Sequence, residues 1–170
     1  MKKYSGFTIL ELMITLAVVA VVTSFAIPAM GQFIKNDRLT TQINTLVSHL
    51  AYARSEAVTR NQQTVLCARS SDTACGSEWK NGWLLFVDAN SNGTLDAATD
   101  EILRVQQTLE GENILSSSET IGNTVVYDYR GFAPSSIGTF TLCDDRKDDH
   151  MKSISISNTG RVRQGGGTSC

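Results

Sequence analysis

Apolar residues are unevenly distributed along the chain. From Phe7 to Met30 they run almost unbroken, and Glu11 is the one charged side chain among them. As a helix rising ~1.5 Å per residue, this segment reaches ~36 Å, enough to cross a bilayer core of ~30 Å. Pro28 lacks a backbone donor and clashes with the preceding turn, which predicts a kink or local melting there. Gly31 completes the expected hinge. Beyond it, Phe33, Leu39, Ile43, Leu46, Val47, Leu50, Ala53, Ala57 and Val58 recur at spacings of three and four. Most of the charged and amide side chains between them fall elsewhere, so residues 31–62 read as an amphipathic helix with one buried stripe.

From Gln63 the texture changes to short β-type runs bounded by Gly, Asn, Asp or Ser. Strands are predicted at 64–68, 82–87, 101–106, 124–129, 139–143, 152–157 and 161–164. The alternation Ser153-Ile154-Ser155-Ile156-Ser157 is the clearest, and it predicts an antiparallel sheet with one wet face. The implied fold class is α+β: a long kinked N-terminal α-helix packed on an antiparallel β-sheet or sandwich head. Its expected parts are residues 1–6 ahead of the apolar run, a transmembrane half-helix at 7–30, an amphipathic half-helix at 31–62 and a β-rich head at 63–170.

Charge fixes an orientation for the apolar helix. Lys2 and Lys3 precede it, which by the positive-inside rule leaves the start of the chain in the cytoplasm and sends the head outward. A removable secretory signal has an apolar core of about 7–15 residues with its cleavage site behind it. Here the run is longer, and the cleavage-like Gly6-Phe7 junction lies in front, so the helix is expected to be retained. Glu11 then needs a reason, because a carboxylate at the centre of a membrane span costs about 2.5–3.5 kcal/mol, and somewhat less near its end. Export also places Cys67, Cys75, Cys143 and Cys170 in an oxidising compartment, where three pairings are open. The favoured one is Cys67 with Cys75, clipping a polar loop, and Cys143 with Cys170, tying the last residue to a strand. In the chain-entropy account these closures contribute about 2.5 and 3.5 kcal/mol. The cysteine spacings do not fit a zinc module, and His49, on the helix, reads as structural.

The trio Gly6, Phe7 and Glu11 resembles the class III signal of type IV pilins and pseudopilins. The resemblance implies that residues 1–6 are a leader, that a prepilin peptidase cuts after Gly6 and that Phe7 becomes an N-methylated amino terminus. It also implies that Glu11 pairs with the terminus of a neighbouring subunit during filament assembly. Further along, the run Arg54-Ser55-Glu56-Ala57-Val58 with Arg60-Asn61-Gln62, the Gly82-Trp83 strand and the Asp88-Ala-Asn-Ser-Asn-Gly turn are similar to the FimT/GspH group of minor pilins and pseudopilins. Gly160-Arg161-Val162-Arg163 matches the GRxR motif with which FimT-type minor pilins bind DNA in natural transformation. The implied protein is a minor pilin that helps initiate or cap a type IV pilus. Its implied partners are other major and minor pilins, the prepilin peptidase, the inner membrane before assembly, and double-stranded DNA. The alternative is a GspH-like pseudopilin of a type II secretion system with no DNA role.

The motif also has a physical reading. Asn158-Thr159-Gly160 is a turn signal, and on the strand after it Arg161 and Arg163 share a face about 6.8 Å apart, while Val162 points to the core. Two guanidinium forks on one face can each meet a phosphate. The following residues 164–169 are small or polar and free of acids, so a backbone can approach. Overall charge opposes a large nucleic-acid footprint: of 15 basic side chains two are Lys2 and Lys3, leaving 13 against 17 acidic ones. The acidic loop 144–150 would repel phosphate if it lay beside the hairpin. Asp88-x-Asn90-x-Asn92-Gly93-x-x-Asp96 resembles the first half of a calcium loop, but Thr99 stands where a bidentate Glu is needed, and an Asx-built turn explains the same letters. No catalytic motif is present, and neither a cofactor nor an enzymatic activity is expected.

Overall fold

The computed structural model describes residues 6–166, 169 and 170, and the side chains of all of these except Asp148 and Asp149. The expected leader, Gly6 apart, lies outside the described residues, as do Lys2, Lys3, Gly167 and Thr168. The chain divides into two compact units, Met1–Asn36 and Asp37–Cys170. Helix α1, Ile9–Arg60, belongs to both.

In the first unit the Glu11 N–H donates to Thr8 Oγ1 at 3.2 Å, the capping arrangement that a Thr-x-x-Glu sequence favours. Thr15, Thr23 and Ser24 turn their hydroxyls back to the carbonyls of Leu12, Val19 and Val21, so no hydroxyl is left bare in the apolar segment. The helix continues through Pro28 and Gly31, so the local melting expected there does not occur. Pro28 removes one backbone donor, and the turns on either side retain theirs. Leu16, Val22 and Phe25 are exposed. By length and composition the helix is apolar enough to cross a membrane.

In the second unit the helix buries Leu39, Ile43, Leu46, Leu50, Ala53 and Ala57, a stripe stepping alternately by four and three. Val58, expected on this stripe, is 53 % exposed because it lies one position past Ala57, about 100° around the helix. Phe33 belongs to the first unit and is also exposed. The helix ends at Arg60, two residues before the expected boundary. Asn61 takes a left-handed φ of 54°, and the Gln62 N–H closes on the Ala57 carbonyl at 3.2 Å.

Among the described residues nine strands follow: β1 Gln63–Ser71, β2 Ala74–Cys75, β3 Trp83–Asp88, β4 Glu101–Gln106, β5 Ile114–Ser117, β6 Thr124–Tyr127, β7 Gly138–Cys143, β8 Lys152–Ile156 and β9 Val162–Gln164. They form two sheets, β2-β1-β3-β4 with β6 also on β1, and β5-β7-β8-β9, and every pairing is antiparallel. Strands β2 and β5 were not expected: β2 is two residues long, and in β5 only Leu115 is buried. Strand β6 stops at Tyr127, short of the predicted Tyr129, because Asp128 starts a turn by accepting the N–H groups of Arg130 and Phe132.

One core joins the helix stripe to both sheets, with Leu66, Trp83, Leu85 and Tyr127 from the first and Phe140, Leu142, Ile154 and Ile156 from the second. The expectation of one wet face fails for the first sheet, where every residue of β3 is buried. Val65, Cys67, Leu84 and Phe86 form a second cluster on its far face, flanked by Leu95 and Cys75. The loop after β3 folds back to supply Leu95, and the Cys67–Cys75 disulfide closes the same side.

His49 lies at the helix–sheet boundary, where Trp83 Nε1–H donates to its Nδ1 at 2.9 Å. That bond requires the neutral ring with its proton on Nε2. Burial, and then the nearby Arg104 guanidinium, hold His49 below its ordinary pKa. A lowered folded-state pKa means that stability is present above the unfolded value of about 6.5 and is lost as pH falls below it. Asp96 and Asp128 are also held low, the first by hydrogen bonds from Asn90 and Asn92. Their losses begin only near the ordinary carboxylate value of about 4. Thermal unfolding of the full chain in detergent should therefore show Tm falling between about pH 7 and pH 5, and His49→Asn should flatten that fall.

Candidate functional site

The hairpin after Ile156 is set by the register of β8 and β9, with Ser155 opposite Arg163 and Ile156 opposite Val162. Its turn closes through Ser157 N–H to the Arg161 carbonyl at 3.1 Å and Gly160 N–H to the Ser157 carbonyl at 2.8 Å. Val162 is half-buried against the core. Arg161 and Arg163, on either side of it, are exposed, and among the described residues neither guanidinium has an ion pair or hydrogen bond.

Gly160 explains why the turn sits where it does. Its φ is +72°, and a Cβ there would collide with the Gly131 carbonyl oxygen and lie 2.9 Å from Cε1 of Tyr127. The turn therefore nests against residues 128–133, and the Ala133 N–H donates to the Asn158 carbonyl at 3.0 Å. On its other side the Gly131 carbonyl accepts from Arg54 Nε at 3.0 Å, so helix, loop and hairpin meet at one peptide group. The Asp128 carboxylate organises this loop. It accepts the Arg130 and Phe132 N–H groups at 2.9 Å each, and Arg130 Nε and Nη2 at 3.0 and 2.7 Å. Its burial alone would raise its pKa, but these donors hold it below the usual carboxylate range. The Arg130 guanidinium lies 5.5 Å from the Tyr129 ring centre and 5.4 Å from that of Phe132.

Sequence reasoning did not connect residues 128–133 with the hairpin. The available signals were the Asp128…Gly131 turn pattern and Arg54, the cation of the Arg-Ser-Glu-Ala-Val run, whose partner lies 77 residues away.

The acidic loop 144–150 joins β7 to the start of β8, whereas the arginine turn follows the end of β8. Five residues of strand put the loop about 17 Å from the turn and Arg161, whereas Arg163, opposite Ser155, lies about 10 Å from the start of β8. At physiological salt that is roughly two Debye lengths for Arg161 and little more than one for Arg163. Asp144 is also paired with Arg146 Nη2 at 2.6 Å. Past β9, Gly165 N–H bonds to the Ser153 carbonyl at 2.8 Å, and Cys170 is bonded to Cys143 with a Cα separation of 5.9 Å. Cys67 and Cys75 form the other disulfide, with Cα atoms 5.7 Å apart.

The 88–100 loop is built as a set of Asx turns. The two Asp88 oxygens accept from the N–H groups of Asn92 and Gly93 and from Gln63 Nε2, and Asp96 accepts from Asn90 and Asn92. Asp100 takes the N–H groups of Ala89 and Asp96. The carboxylates serve backbone and amide donors of the loop itself, and no cluster suited to a metal ion occurs among the described residues. At the other end of the chain, the Glu11 carboxylate is exposed and has no partner among the described residues.

Comparison with known proteins gives consistent matches. The family described as type II transport protein GspH matches residues 42–160, and the prokaryotic N-terminal methylation motif matches residues 1–27. A curated relative, the type IV major fimbrial protein FimA of Dichelobacter nodosus, is 34 % identical over 92 residues, which cover 54 % of each chain. The chain thus spans about half the length of the curated relatives it matches. A crystal structure of the type IV minor pilin FimU of Pseudomonas aeruginosa superposes with a TM-score of 0.61 at 22 % identity, covering 79 % of this chain and 92 % of that one. A second crystal form of FimU gives a TM-score of 0.57, covering 75 % and 93 %.

The nested turn leads to a stability prediction. Gly160→Ala should destabilise the head by at least about 1–3 kcal/mol, the cost of a left-handed non-glycine residue, with the steric clash in addition. A clear drop in Tm should result, whereas Arg161→Ala, which touches nothing in the core, should leave Tm nearly unchanged.

Proposed function

The chain belongs to the GspH family of type IV pilin-like proteins, subunits of pili or pseudopili, and from that premise we propose that it is a minor pilin that contacts extracellular DNA. Proteins of this family are structural, and the chain is not an enzyme. The apolar helix and the N-terminal methylation motif are those of a membrane-anchored pilin. In this reading the head matures on the periplasmic side of the inner membrane, and the subunit then enters a type IV pilus, helping to initiate it or sitting at its tip. Prepilin peptidase cuts after Gly6 and methylates Phe7, and Glu11 receives the terminal amine of a neighbouring subunit. The exposed, unpartnered Glu11 carboxylate supports that assignment.

The observation that carries DNA binding is the pair of exposed arginines with no partner in the described chain, held on one face by Val162 and by the nested Gly160 turn. Guanidinium forks without carboxylate partners are available for phosphate oxygens. The separation of Arg161 from the acidic loop weakens the main local objection. Binding per subunit is weak, and several subunits or several contacts along one DNA raise its effective strength. A second reading, a pseudopilin of a type II secretion system, is favoured by the description of the matching family, and co-purification with secretion rather than pilus components would select it.

Mass spectrometry of assembled filaments should find methylated Phe7 as the first residue. Glu11→Ala should leave membrane insertion intact, since it removes a charge from an apolar span, and should lower incorporation into filaments, since the terminal amine of the neighbour loses its partner. An intact Met1 in filaments, or normal incorporation of the variant, would overturn these roles.

For DNA, the full chain in non-ionic detergent should bind duplex without sequence preference, with a log–log salt slope of about −1.8 for two phosphate contacts. Arg161→Ala with Arg163→Ala should sharply weaken binding and depress transformation while sparing assembly. Lysine at both positions should keep only part of the affinity, because the fork is lost. Unchanged affinity in the folded double alanine variant would refute the clamp.

A further inference from the structure

The surface beside the arginine turn carries more than cations. Tyr129 is 54 % exposed and Phe132 40 % exposed, although both belong to a loop whose backbone is fixed on all sides. Asp128 caps the loop from within, Arg54 holds its Gly131 carbonyl, and the Asn158 carbonyl ties it to the arginine hairpin. Neither ring belongs to the core clusters of the fold. Large rings held in water by a rigid loop are presented ready for contact, with little ordering left to lose on binding.

The chemistry around the rings narrows what they contact. The one carboxylate in the loop, Asp128, is consumed by four donors, two from the backbone and two from Arg130. Arg54 and Arg130 bring guanidinium groups to the loop, and Arg161 stands in the hairpin tied to it. Arg130 spans the two rings, so cation, ring and ring form one continuous π-rich platform, with its side chain 61 % exposed. A platform of this composition next to phosphate-reading forks matches the two halves of a nucleotide, whereas an acidic or aliphatic protein surface would use only one of them.

We propose that the 129–132 loop is the base-contacting half of the surface, with Tyr129 and Phe132 stacking on unpaired nucleobases while Arg161 and Arg163 hold the neighbouring phosphates. This inference rests on the DNA-binding reading above and refines its ligand. An intact duplex buries its base faces in its own stack, so the preferred ligand is single-stranded DNA or a frayed duplex end. Because every base has a π-face, the preference is for strandedness and carries little sequence selectivity.

The test compares three fluorescent ligands of equal length against the full chain in non-ionic detergent: oligothymidine, an abasic deoxyribose-phosphate strand, and duplex. Oligothymidine should bind at least about fivefold tighter than the abasic strand, which offers phosphates without bases. Tyr129→Ala with Phe132→Ala should erase that difference and leave the abasic affinity unchanged. Tyr129→Leu with Phe132→Leu, which retains apolar bulk and guards against misfolding, should do the same. Arg161→Ala with Arg163→Ala should weaken all three ligands together. If oligothymidine and abasic strands bind equally and the aromatic variants change neither, DNA binding stands and stacking is overturned. If no strand binds at all, both readings fall. If the aromatic variants bind every strand normally but co-assemble poorly with other pilins, the rings serve a protein contact and the proposal is likewise overturned.

Discussion

The head is organised by one seam on α1. Leu39, Ile43, Leu46, Leu50, Ala53 and Ala57 alternate steps of four and three, which keeps them on one line down the helix, and that line faces residues of both sheets. Each sheet alone has an apolar face that must be covered. Sharing one helix stripe between two sheets covers both at once and fixes where each lies on the helix. Ala53 and Ala57, the small residues of the seam, come near the helix end, where Thr64 Oγ1 reaches the Ala53 carbonyl at 3.0 Å. The chain thus turns from helix into β1 against its own last turns, and β1 in turn pairs with β2, β3 and β6.

The candidate site depends on this arrangement at one remove. Arg54 is a helix residue off the seam, and it reaches the Gly131 carbonyl because the seam has set the helix against the sheets. Gly160 reaches the Gly131 carbonyl because it brings no Cβ to the contact, and Gly131 in turn leaves room for Val58 and Arg54 of the helix. The exposed arginines are therefore located by a chain of packing constraints that starts in the core. Their charges take no part in holding them there. The groups proposed to contact DNA contribute little to stability, so that surface can be altered while the fold stands.

The local role of Glu11 leaves room for the intermolecular one proposed above. Its N–H is capped by Thr8, which is a matter of helix initiation, while its carboxylate is left unused by the described chain. A backbone donor satisfied within the helix and a charge left outside it do not compete.

Much of this was legible in the sequence because it follows from periodicity and local chemistry. The apolar run, the three-four stripe, the alternation of β8 and the turn at Asn158-Thr159-Gly160 each depend on residues close together in the chain. Inward Val162 between outward arginines follows from the two-residue period of a strand. What sequence misjudged has an equally physical cause. Strand β5 has a single buried side chain, too weak a signal to detect, and Val58 shares the spacing of the stripe but not its line. The second face of the first sheet looked wet because nothing local shows that Leu95 and the Cys67–Cys75 link fold over it. The meeting of Arg54, Gly131 and Gly160, with Tyr129 and Phe132 beside it, lay beyond sequence reading for the same reason. Periodicity shows which way a side chain points from its own element, but which distant element it meets is decided only when helix and sheets close on a common core.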